Sequence, residues 1–370
     1  MAPEEVQHAA VFWRSSALRW TVASLLLFVV VEGLVFRLGW YNRCLEPDST
    51  AGRVESYLYW LKRHPHGRKP EVLVMGDSRI AEGFSAPEAA KDAAGRIRFW
   101  NFGIPGATPR AWYYLLRDAD PTRRRFAAIV IPFDEYADED HTNAVDDDLM
   151  DLNYLVGRLR LTDCVDFASS MGSAGTKGRA LSGCLFKGIA LRRDVQEFLQ
   201  HFRDRIRRAR DFRENGLRYI DDYKGHQEDL RGLRVDFVRR TIYFPQGVTG
   251  MRRTTVQDWV LPEPVPQTGE LTRYRKLWFG RILDLYRNSP TRIIFLELPR
   301  GPVHVPESRV PARFLQWARG RWSVTVLPPE MFRDLERPEL YFDGLHLNSA
   351  GRPLFTAKLA EAISPLVGTR

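Results

Sequence analysis

A serine and a histidine that could together perform acyl-transfer chemistry lie far apart in this chain. Ser78 is part of Gly-Asp-Ser, directly behind the apolar run VLVM, and His346 follows Asp343 by three residues in DGLH. A serine hydroxyl is a poor nucleophile until a base takes its proton. A nearby carboxylate can orient a histidine base and stabilise its imidazolium form. Ser78, His346 and Asp343 are therefore the candidate nucleophile, base and acid.

Acyl transfer also needs hydrogen-bond donors for the oxyanion of its tetrahedral intermediate. The stretch NFGIPGAT, residues 101–108, contains Gly106, whose N–H a ligand can approach without obstruction by a side chain. The N–H of Ser78, at the predicted start of a helix, is the natural second donor. Each motif also has a structural alternative, since Gly-Asp-Ser makes a good turn and N-cap and Asp-x-x-His occurs by chance. Their joint occurrence at three predicted strand–loop junctions favours catalysis.

The elements around these motifs alternate between short strands and helices. This alternation is typical of a parallel sheet covered on both faces, in which ligands gather at the carboxyl ends of the strands. A mainly helical insertion that could shape or cover the active face is predicted at about 133–270, because so long an interval must have structure of its own. Strands are predicted at 71–75, 97–102, 127–131, 292–298 and 322–327, and helices at 86–94, 109–118, 272–288 and 349–364.

Taken in order, GDS, NFGIPG and DGLH resemble the sequence blocks of the SGNH (GDSL-type) hydrolase superfamily. The resemblance covers about 71–364 without the insertion. It implies a flavodoxin-like, three-layer α/β fold and a serine esterase or acyltransferase activity, with no metal or organic cofactor. It also implies that Ser78 is the nucleophile, that Gly106 and Ser78 form the oxyanion hole, and that Asp343 and His346 complete the triad.

Two departures from the family pattern bear on substrate binding. The third block, G-x-N-D, is replaced by IPFDEYADED, with Asp134 close to the position of the family's oxyanion-hole asparagine. An ionised aspartate would repel an oxyanion, so this donor is missing or comes from elsewhere. Arg79 replaces the leucine that is common after the nucleophile, and is predicted to hold an anionic substrate or Asp134. Arg79, Asn101 and Asp134 are the candidate substrate-binding residues.

The N-terminal region contains an apolar run, WTVASLLLFVVVEGLVF, that is interrupted only by Glu32. Extended to Tyr41, it reaches about 20 residues, which is enough to span a bilayer. The run predicts an uncleaved signal anchor, and the alternative is a buried core helix. Glu32 indicates either an intramembrane partner or a side chain that snorkels to the interface. The predicted segments are a cytoplasmic N-terminus at 1–19, the anchor at 20–41, a stalk at 42–70 and an outward SGNH-like domain at 71–370.

Charge and cysteine content restrict the remaining possibilities. The formal charge is +9, but arginines alternate with acids in FRDRIRRARDFRENG (202–216), which favours a solvated helix face over a docking surface. No zinc-finger spacing or RNA-binding signature is present, so nucleic acid is not a predicted partner. The three cysteines match no metal motif. In an oxidising compartment Cys164 and Cys184 could pair, which would leave Cys44 single.

These patterns together predict a membrane-anchored SGNH-like serine acyltransferase or esterase. The departures from the family pattern resemble tethered SGNH-like proteins of bacterial envelopes, which work beside membrane-bound O-acyltransferases. The resemblance implies a periplasmic domain on the bacterial inner membrane, a polysaccharide or other glycan as substrate, and a multispanning O-acyltransferase as partner. Two alternatives remain, a tethered esterase or lipase for small esters and a catalytically silent scaffold that binds glycan.

Overall fold

A five-stranded parallel sheet is the framework of the computed structural model, which describes residues 16–133, 149–261, 272–305, 313–318, 321 and 324–367. The five predicted strands are confirmed, the last of them over its described residues. The strands are β1 (Glu71–Gly76), β2 (Arg98–Gly103), β3 (Ala128–Phe133), β4 (Arg234–Asp236), β5 (Thr241–Tyr243), β6 (Arg292–Glu297) and β7 (Val324–Val326). The sheet has the order β2-β1-β3-β6-β7, and β4 and β5 form a separate antiparallel pair.

Helices cover both faces of this sheet. Successive residues of a strand point to opposite faces. Accordingly, Leu73 and Met75 of β1 belong to one hydrophobic cluster, and Val72 and Val74 belong to the other. Both faces of the sheet are buried, and the strands are accordingly continuous apolar runs in the sequence, as expected for a parallel sheet covered on both sides.

The described helices include each of the four predicted between the strands. They are α1 (Ser16–Val31), α2 (Thr50–Arg63), α3 (Ser78–Gly83), α4 (Ala86–Asp92), α5 (Pro109–Ala119), α6 (Met150–Leu155), α7 (Cys164–Ser169), α8 (Ala174–Leu185), α9 (Lys187–Ala190), α10 (Arg192–Gln200), α11 (Phe202–Asp222), α12 (Gly250–Val260), α13 (Arg273–Leu285), α14 (Arg313–Ala318) and α15 (Gly351–Val367). Helices α2, α5 and α13 pack on one face of the sheet, and α4 and α15 pack on the other. Between β3 and α13, the described residues form α6–α12 and the β4–β5 pair.

The segment 42–70 is not the polar stalk that the sequence suggested. Its helix α2 buries Tyr57, Trp60 and Leu61 in the main hydrophobic cluster. The Tyr57 hydroxyl donates to the carbonyl of Gly103 at the end of β2, and the Trp60 indole N–H donates to the carbonyl of Arg213. The stalk prediction is therefore wrong, because a regularly spaced apolar stripe makes α2 a layer of the domain.

One N-terminal helix, Leu18–Arg37, is long and apolar enough to cross a membrane by length and composition, with a mean hydropathy of 1.9. It is α-helical to Val31 and continues as a π-helix over Glu32–Arg37. The Glu32 carboxylate is buried and accepts hydrogen bonds from the backbone N–H groups of Lys187 (2.6 Å) and Gly188 (3.0 Å). Of the two alternatives for Glu32, a partner and a side chain that snorkels, the structure shows a partner, which lies at the start of α9 in this chain.

The region around α7–α11 is held together by a disulfide and by a buried cation. Cys164 and Cys184 are bonded, which confirms the pairing considered from the sequence, and Cys44 is a buried free thiol. The guanidinium of Arg205 is buried and pairs with three carboxylates, those of Glu46 (2.8 Å), Asp194 (2.9 Å) and Glu197 (3.2 Å). The prediction of a solvated basic helix is therefore incorrect at this position of α11.

Candidate active site

The candidate nucleophile lies where β1 and β2 end side by side. The two strands are in register up to Gly76 and Gly103, and Ser78 begins α3 immediately after β1. The side chain of Asp77 caps this helix by accepting the N–H of Arg79 at 2.9 Å. A Cβ on Gly103 would lie 2.2 Å from the backbone nitrogen of Ala81, so the absence of a side chain lets α3 rest directly on the strand end.

The structure brings the predicted serine, histidine and aspartate into one hydrogen-bonded chain. Ser78 Oγ lies 2.8 Å from His346 Nε2, although the two residues are 268 positions apart. His346 Nδ1 lies 2.9 Å and 3.0 Å from the two carboxylate oxygens of Asp343. An ionised carboxylate only accepts, so Nδ1 carries the proton and Nε2 accepts the serine hydroxyl. This is the connectivity that a serine nucleophile needs.

Burial and the neighbouring charge shift the pKa of His346 in opposite directions, and they also do so for the pKa of Asp343. Burial lowers the pKa of His346, but the hydrogen bond and the negative charge of Asp343 outweigh it, and the pKa is raised. Burial raises the pKa of Asp343, but His346 and the N–H groups of Leu345 and His346 outweigh it, and the pKa is lowered. The pair is therefore held as an ionised aspartate beside a basic imidazole.

Gly106 lies in a loop that is tied to the end of β1. The N–H of Ile104 donates to the carbonyl of Gly76 at 2.9 Å, and Gly106 has a φ of +73°, which favours glycine. The hydroxyl of Tyr154 donates to the carbonyl of Pro105 at 2.6 Å and lies 2.6 Å from where a Cβ of Gly106 would be. Ser78 is the first residue of α3, so its N–H has no acceptor within the helix. Both candidate oxyanion donors thus follow the ends of adjacent strands.

A buried polar cluster fixes the end of this loop. The hydroxyl of Thr108 donates to the Asp151 carboxylate at 2.8 Å and accepts from the hydroxyl of Tyr274 at 2.7 Å. Arg110 is fully buried and lies 3.5 Å from the second oxygen of Asp151. Helices α5, α6 and α13 therefore meet behind the loop that carries Gly106, and they restrict how far it can move.

The three candidate substrate-binding residues have different outcomes. Arg79 pairs with Asp77 at 2.7 Å, and its guanidinium lies over the ring of Trp259 at 5.6 Å. The pKa of Asp77 is lowered because Arg79 outweighs the effect of burial.

Asn101 is buried, its amide N–H₂ donates to the carbonyls of Ile80, Ala81 and Phe84, and its oxygen accepts the N–H of Gly103. These bonds leave Asn101 positioning α3, not binding substrate, and Asp134 lies outside the described residues.

Helix α12 of the insertion packs against the site, as predicted for the insertion as a whole, but the sequence did not indicate which of its residues do so. A Cβ on Gly344 would lie 2.3 Å from the carbonyl oxygen of Thr255, so α12 packs directly on the DGLH turn. The guanidinium of Arg252 donates to the carbonyl of Phe342 at 2.9 Å. With Trp259 beside Arg79, these contacts make α12 one wall of the site. No motif in GMRRTTVQDWV indicated this, because the contacts join segments about 90 residues apart.

Replacing Gly106 with alanine is expected to lower kcat/KM about 10²–10³-fold, the usual cost of losing one oxyanion donor. The new methyl group would meet the Tyr154 hydroxyl and strain a positive φ, so the loop must shift. Ester hydrolysis and thermal unfolding of the variant would measure both effects. Gly280→Ala is the matched control, since it lies within α13 and a Cβ there meets nothing within 4 Å. Wild-type kcat/KM in Gly106→Ala would exclude this glycine from the oxyanion hole.

The activity should rise with pH through the pKa of His346, above the ordinary value for histidine. Only the neutral imidazole can take the proton of Ser78, and Asp343 raises the pKa at which it becomes neutral. Charged His346 stabilises the fold below its unfolded-state pKa, and this contribution disappears as the pH rises through the folded-state pKa. Activity and this part of the stability therefore change in opposite directions. A kcat/KM profile and thermal unfolding of wild type and His346→Gln, across the same pH range, would test this.

The hydrogen-bonded hydroxyl, base and orienting acid are the groups that nucleophilic acyl chemistry needs, and the N–H groups of Ser78 and Gly106 remain the candidate oxyanion donors. In the part of the chain that the structure describes, no group of three or more histidine, cysteine, aspartate or glutamate side chains could hold a metal ion. No protein-family model matches the chain, and no curated protein matches it. The functional interpretation therefore depends on the geometry of these residues.

Proposed function

We propose that this protein is a membrane-anchored, SGNH-like serine acyltransferase or acyl esterase. The observation that carries the proposal is the hydrogen-bonded chain from Ser78 Oγ through His346 to Asp343. The sheet order adds support, because counting only the sheet strands it reads 2-1-3-4-5, as in flavodoxin-like folds. Ligands in such sheets bind at the carboxyl ends of the strands where the order reverses, and Ser78 follows β1 at that point.

In the proposed reaction, His346 Nε2 takes the proton of Ser78 as Oγ attacks the acyl carbonyl carbon. The N–H groups of Ser78 and Gly106 donate to the resulting oxyanion. When the intermediate collapses, the bond to the leaving oxygen breaks, His346 returns the proton to that oxygen, and the acyl group remains on Ser78. An acceptor hydroxyl then attacks the acyl-enzyme, gives its proton to His346, and leaves with the acyl group as Ser78 is reprotonated. Water in place of the acceptor gives hydrolysis.

The proposed setting is the outer face of a bacterial inner membrane, with a polysaccharide or other glycan as acyl acceptor or substrate. The apolar helix Leu18–Arg37 supports membrane anchoring. The disulfide between Cys164 and Cys184 supports an oxidising, extracytoplasmic compartment. A membrane-bound O-acyltransferase is the proposed source of acyl groups. Since Glu32 is engaged by α9, the contact with such a partner is not assigned to that residue.

The transferase proposal is tested by comparing acyl transfer to a glycan with hydrolysis of a small ester by the same protein. We expect the full-length protein to transfer acetyl groups to an extracytoplasmic glycan faster than it hydrolyses p-nitrophenyl acetate. Mass spectrometry of the glycan and release of p-nitrophenol would measure the two rates with the same preparation. Rapid hydrolysis without glycan acylation would instead identify a tethered esterase for small substrates.

A further inference from the structure

Large apolar side chains are exposed around the point where the N-terminal helix meets the insertion. Two groups contribute to this apolar collar: the end of the N-terminal helix with the residues after it, and the residues around the junction of α8 and α9. Their side chains are between 36% and 76% exposed. The collar consists of Leu34, Leu38, Trp40, Leu185, Phe186 and Ile189. So many neighbouring exposed apolar residues mark a surface that another apolar phase covers.

The insertion part of the collar is attached directly to the N-terminal helix. The ring of Phe186 lies 5.6 Å from that of Phe28. The Glu32 carboxylate accepts the N–H groups at the start of α9, and the guanidinium of Arg37 donates to the carbonyl of Leu185 at 2.7 Å. A Cβ on Gly188 would lie 2.9 Å from the ring of Phe36, so this segment touches the helix closely.

These contacts are anchored to the rest of the domain. Cys184, next to the collar, is joined to Cys164 by the disulfide. The ammonium of Lys187 donates to the carbonyl of Gly157 at 3.3 Å. A segment held at both its backbone and its side chains is displaced only at the expense of several contacts. The collar is therefore a fixed part of the surface.

The position of Phe186 along the helix indicates what the collar touches. Phe28 precedes Arg37 by nine residues, which is about two helical turns. The apolar window of the helix extends to Arg37, so Phe186 lies beside its apolar part. Any lipid that surrounds the last turns of this window also meets the collar. Arg192 and Arg193 are exposed on the adjoining helix α10, where basic side chains suit anionic headgroups.

We infer that the apolar collar inserts into the outer interface of a lipid bilayer, as a second membrane contact beside the helix. The inference rests on the proposed membrane anchoring of Leu18–Arg37. With this second contact the domain has a fixed position on the membrane, because α2 is packed in the domain and leaves no free stalk between the helix and the domain. The candidate site is then held at a constant height above the lipid.

The test uses the full-length protein in nanodiscs of phosphatidylethanolamine and phosphatidylglycerol, with an NBD fluorophore on one introduced cysteine. Three exposed positions are compared: Ile189→Cys in the collar, Leu26→Cys in the helix, and Val238→Cys at a distant surface, which is 95% exposed. The unsubstituted chain controls for labelling of the buried Cys44. We expect lipid with a doxyl group deep in its acyl chain to remove most of the emission at position 26, and lipid with a shallow doxyl group to remove most of it at position 189. Neither lipid should quench the label at position 238. Iodide dissolved in the water should quench the label at position 238 and leave the labels at positions 26 and 189 unquenched.

The outcomes separate this inference from the anchoring on which it rests. If the label on Leu26→Cys is quenched by doxyl lipid and the label on Ile189→Cys only by iodide, the collar inference is overturned and the anchor stands. If iodide also quenches the label on Leu26→Cys, the anchoring itself is wrong. Thermal unfolding of each variant, and labelling of its Ser78 by a serine-directed fluorophosphonate at the wild-type level, establish that the protein remains folded.

Discussion

Ser78→Ala is expected to abolish labelling by a serine-directed fluorophosphonate and to lower acyl turnover about 10⁴–10⁶-fold. The substitution removes the only atom that can form the acyl-enzyme in the proposed reaction. Its cost to stability should be small, within about 1 kcal/mol, because Asp77, not Ser78, caps α3. Gel-based labelling, turnover of p-nitrophenyl acetate and thermal unfolding of the purified full-length chain would measure these three effects.

The matched control for this experiment is Ser182→Ala. Ser182 is exposed on α8, and its hydroxyl donates to the carbonyl of Arg179, one turn earlier in its own helix. It should keep wild-type labelling and turnover. Labelling that persists in Ser78→Ala would place the nucleophile elsewhere. A wild-type protein that does not label at all would instead favour the catalytically silent, glycan-binding scaffold.

Asp343→Asn is expected to lower kcat about 10³–10⁴-fold while leaving the local fold in place. An asparagine retains one oxygen, which can still accept the N–H groups of Leu345 and His346 as Asp343 Oδ1 does at 2.8 Å. It loses the negative charge that stabilises the imidazolium form of His346. It also allows the wrong tautomer, because the asparagine amide can donate to Nδ1. Steady-state kinetics would measure the loss.

The pH profile distinguishes this mechanism from simple disruption. Asp343 raises the pKa of His346, so its removal should move the acidic limb of the residual kcat/KM profile to lower pH. Asp258→Asn is the matched control, because it removes the charge of an exposed side chain of α12, and it should leave both the rate and the acidic limb of the profile unchanged. A large loss of rate in Asp343→Asn with an unmoved limb would show that Asp343 does not set the pKa of His346.

Local patterns were sufficient to predict the sheet and the three residues of the candidate triad. Each strand is a short β-branched or aromatic run bounded by glycine, proline or charge, and recognising such a run needs no distant information. Ser78 and His346 could be paired from the sequence because each lies in a short, recognisable motif. Ser78 directly follows a predicted strand, and His346 follows Asp343 by three residues. The prediction that they meet is confirmed at 2.8 Å. Their catalytic role stays a prediction.

Asn101 illustrates the limit of such motif reasoning. NFGIPGAT correctly marked a loop beside the site, but it could not distinguish a side chain that faces a ligand from one that faces the protein. The amide of Asn101 is engaged by the start of α3 and by Gly103, which is a property of how closely two segments approach. Helix α12, with Trp259 beside Arg79, was missed for the same reason.

The sequence by itself determined the parallel α/β framework, the apolar N-terminal helix, and which serine, histidine and aspartate are candidates for one site. These follow from periodicity, length and residue chemistry, all of which act over a few neighbouring residues. Only the tertiary structure decided that α2 is a core layer, that Glu32 caps α9, and that the insertion reaches both the site and the helix. Those outcomes depend on contacts between residues far apart in the chain, such as the 155 positions between Glu32 and Lys187. A local pattern such as the apolar stripe of α2 indicates that a face is buried, but not which segment covers it, because that is set by how the layers pack.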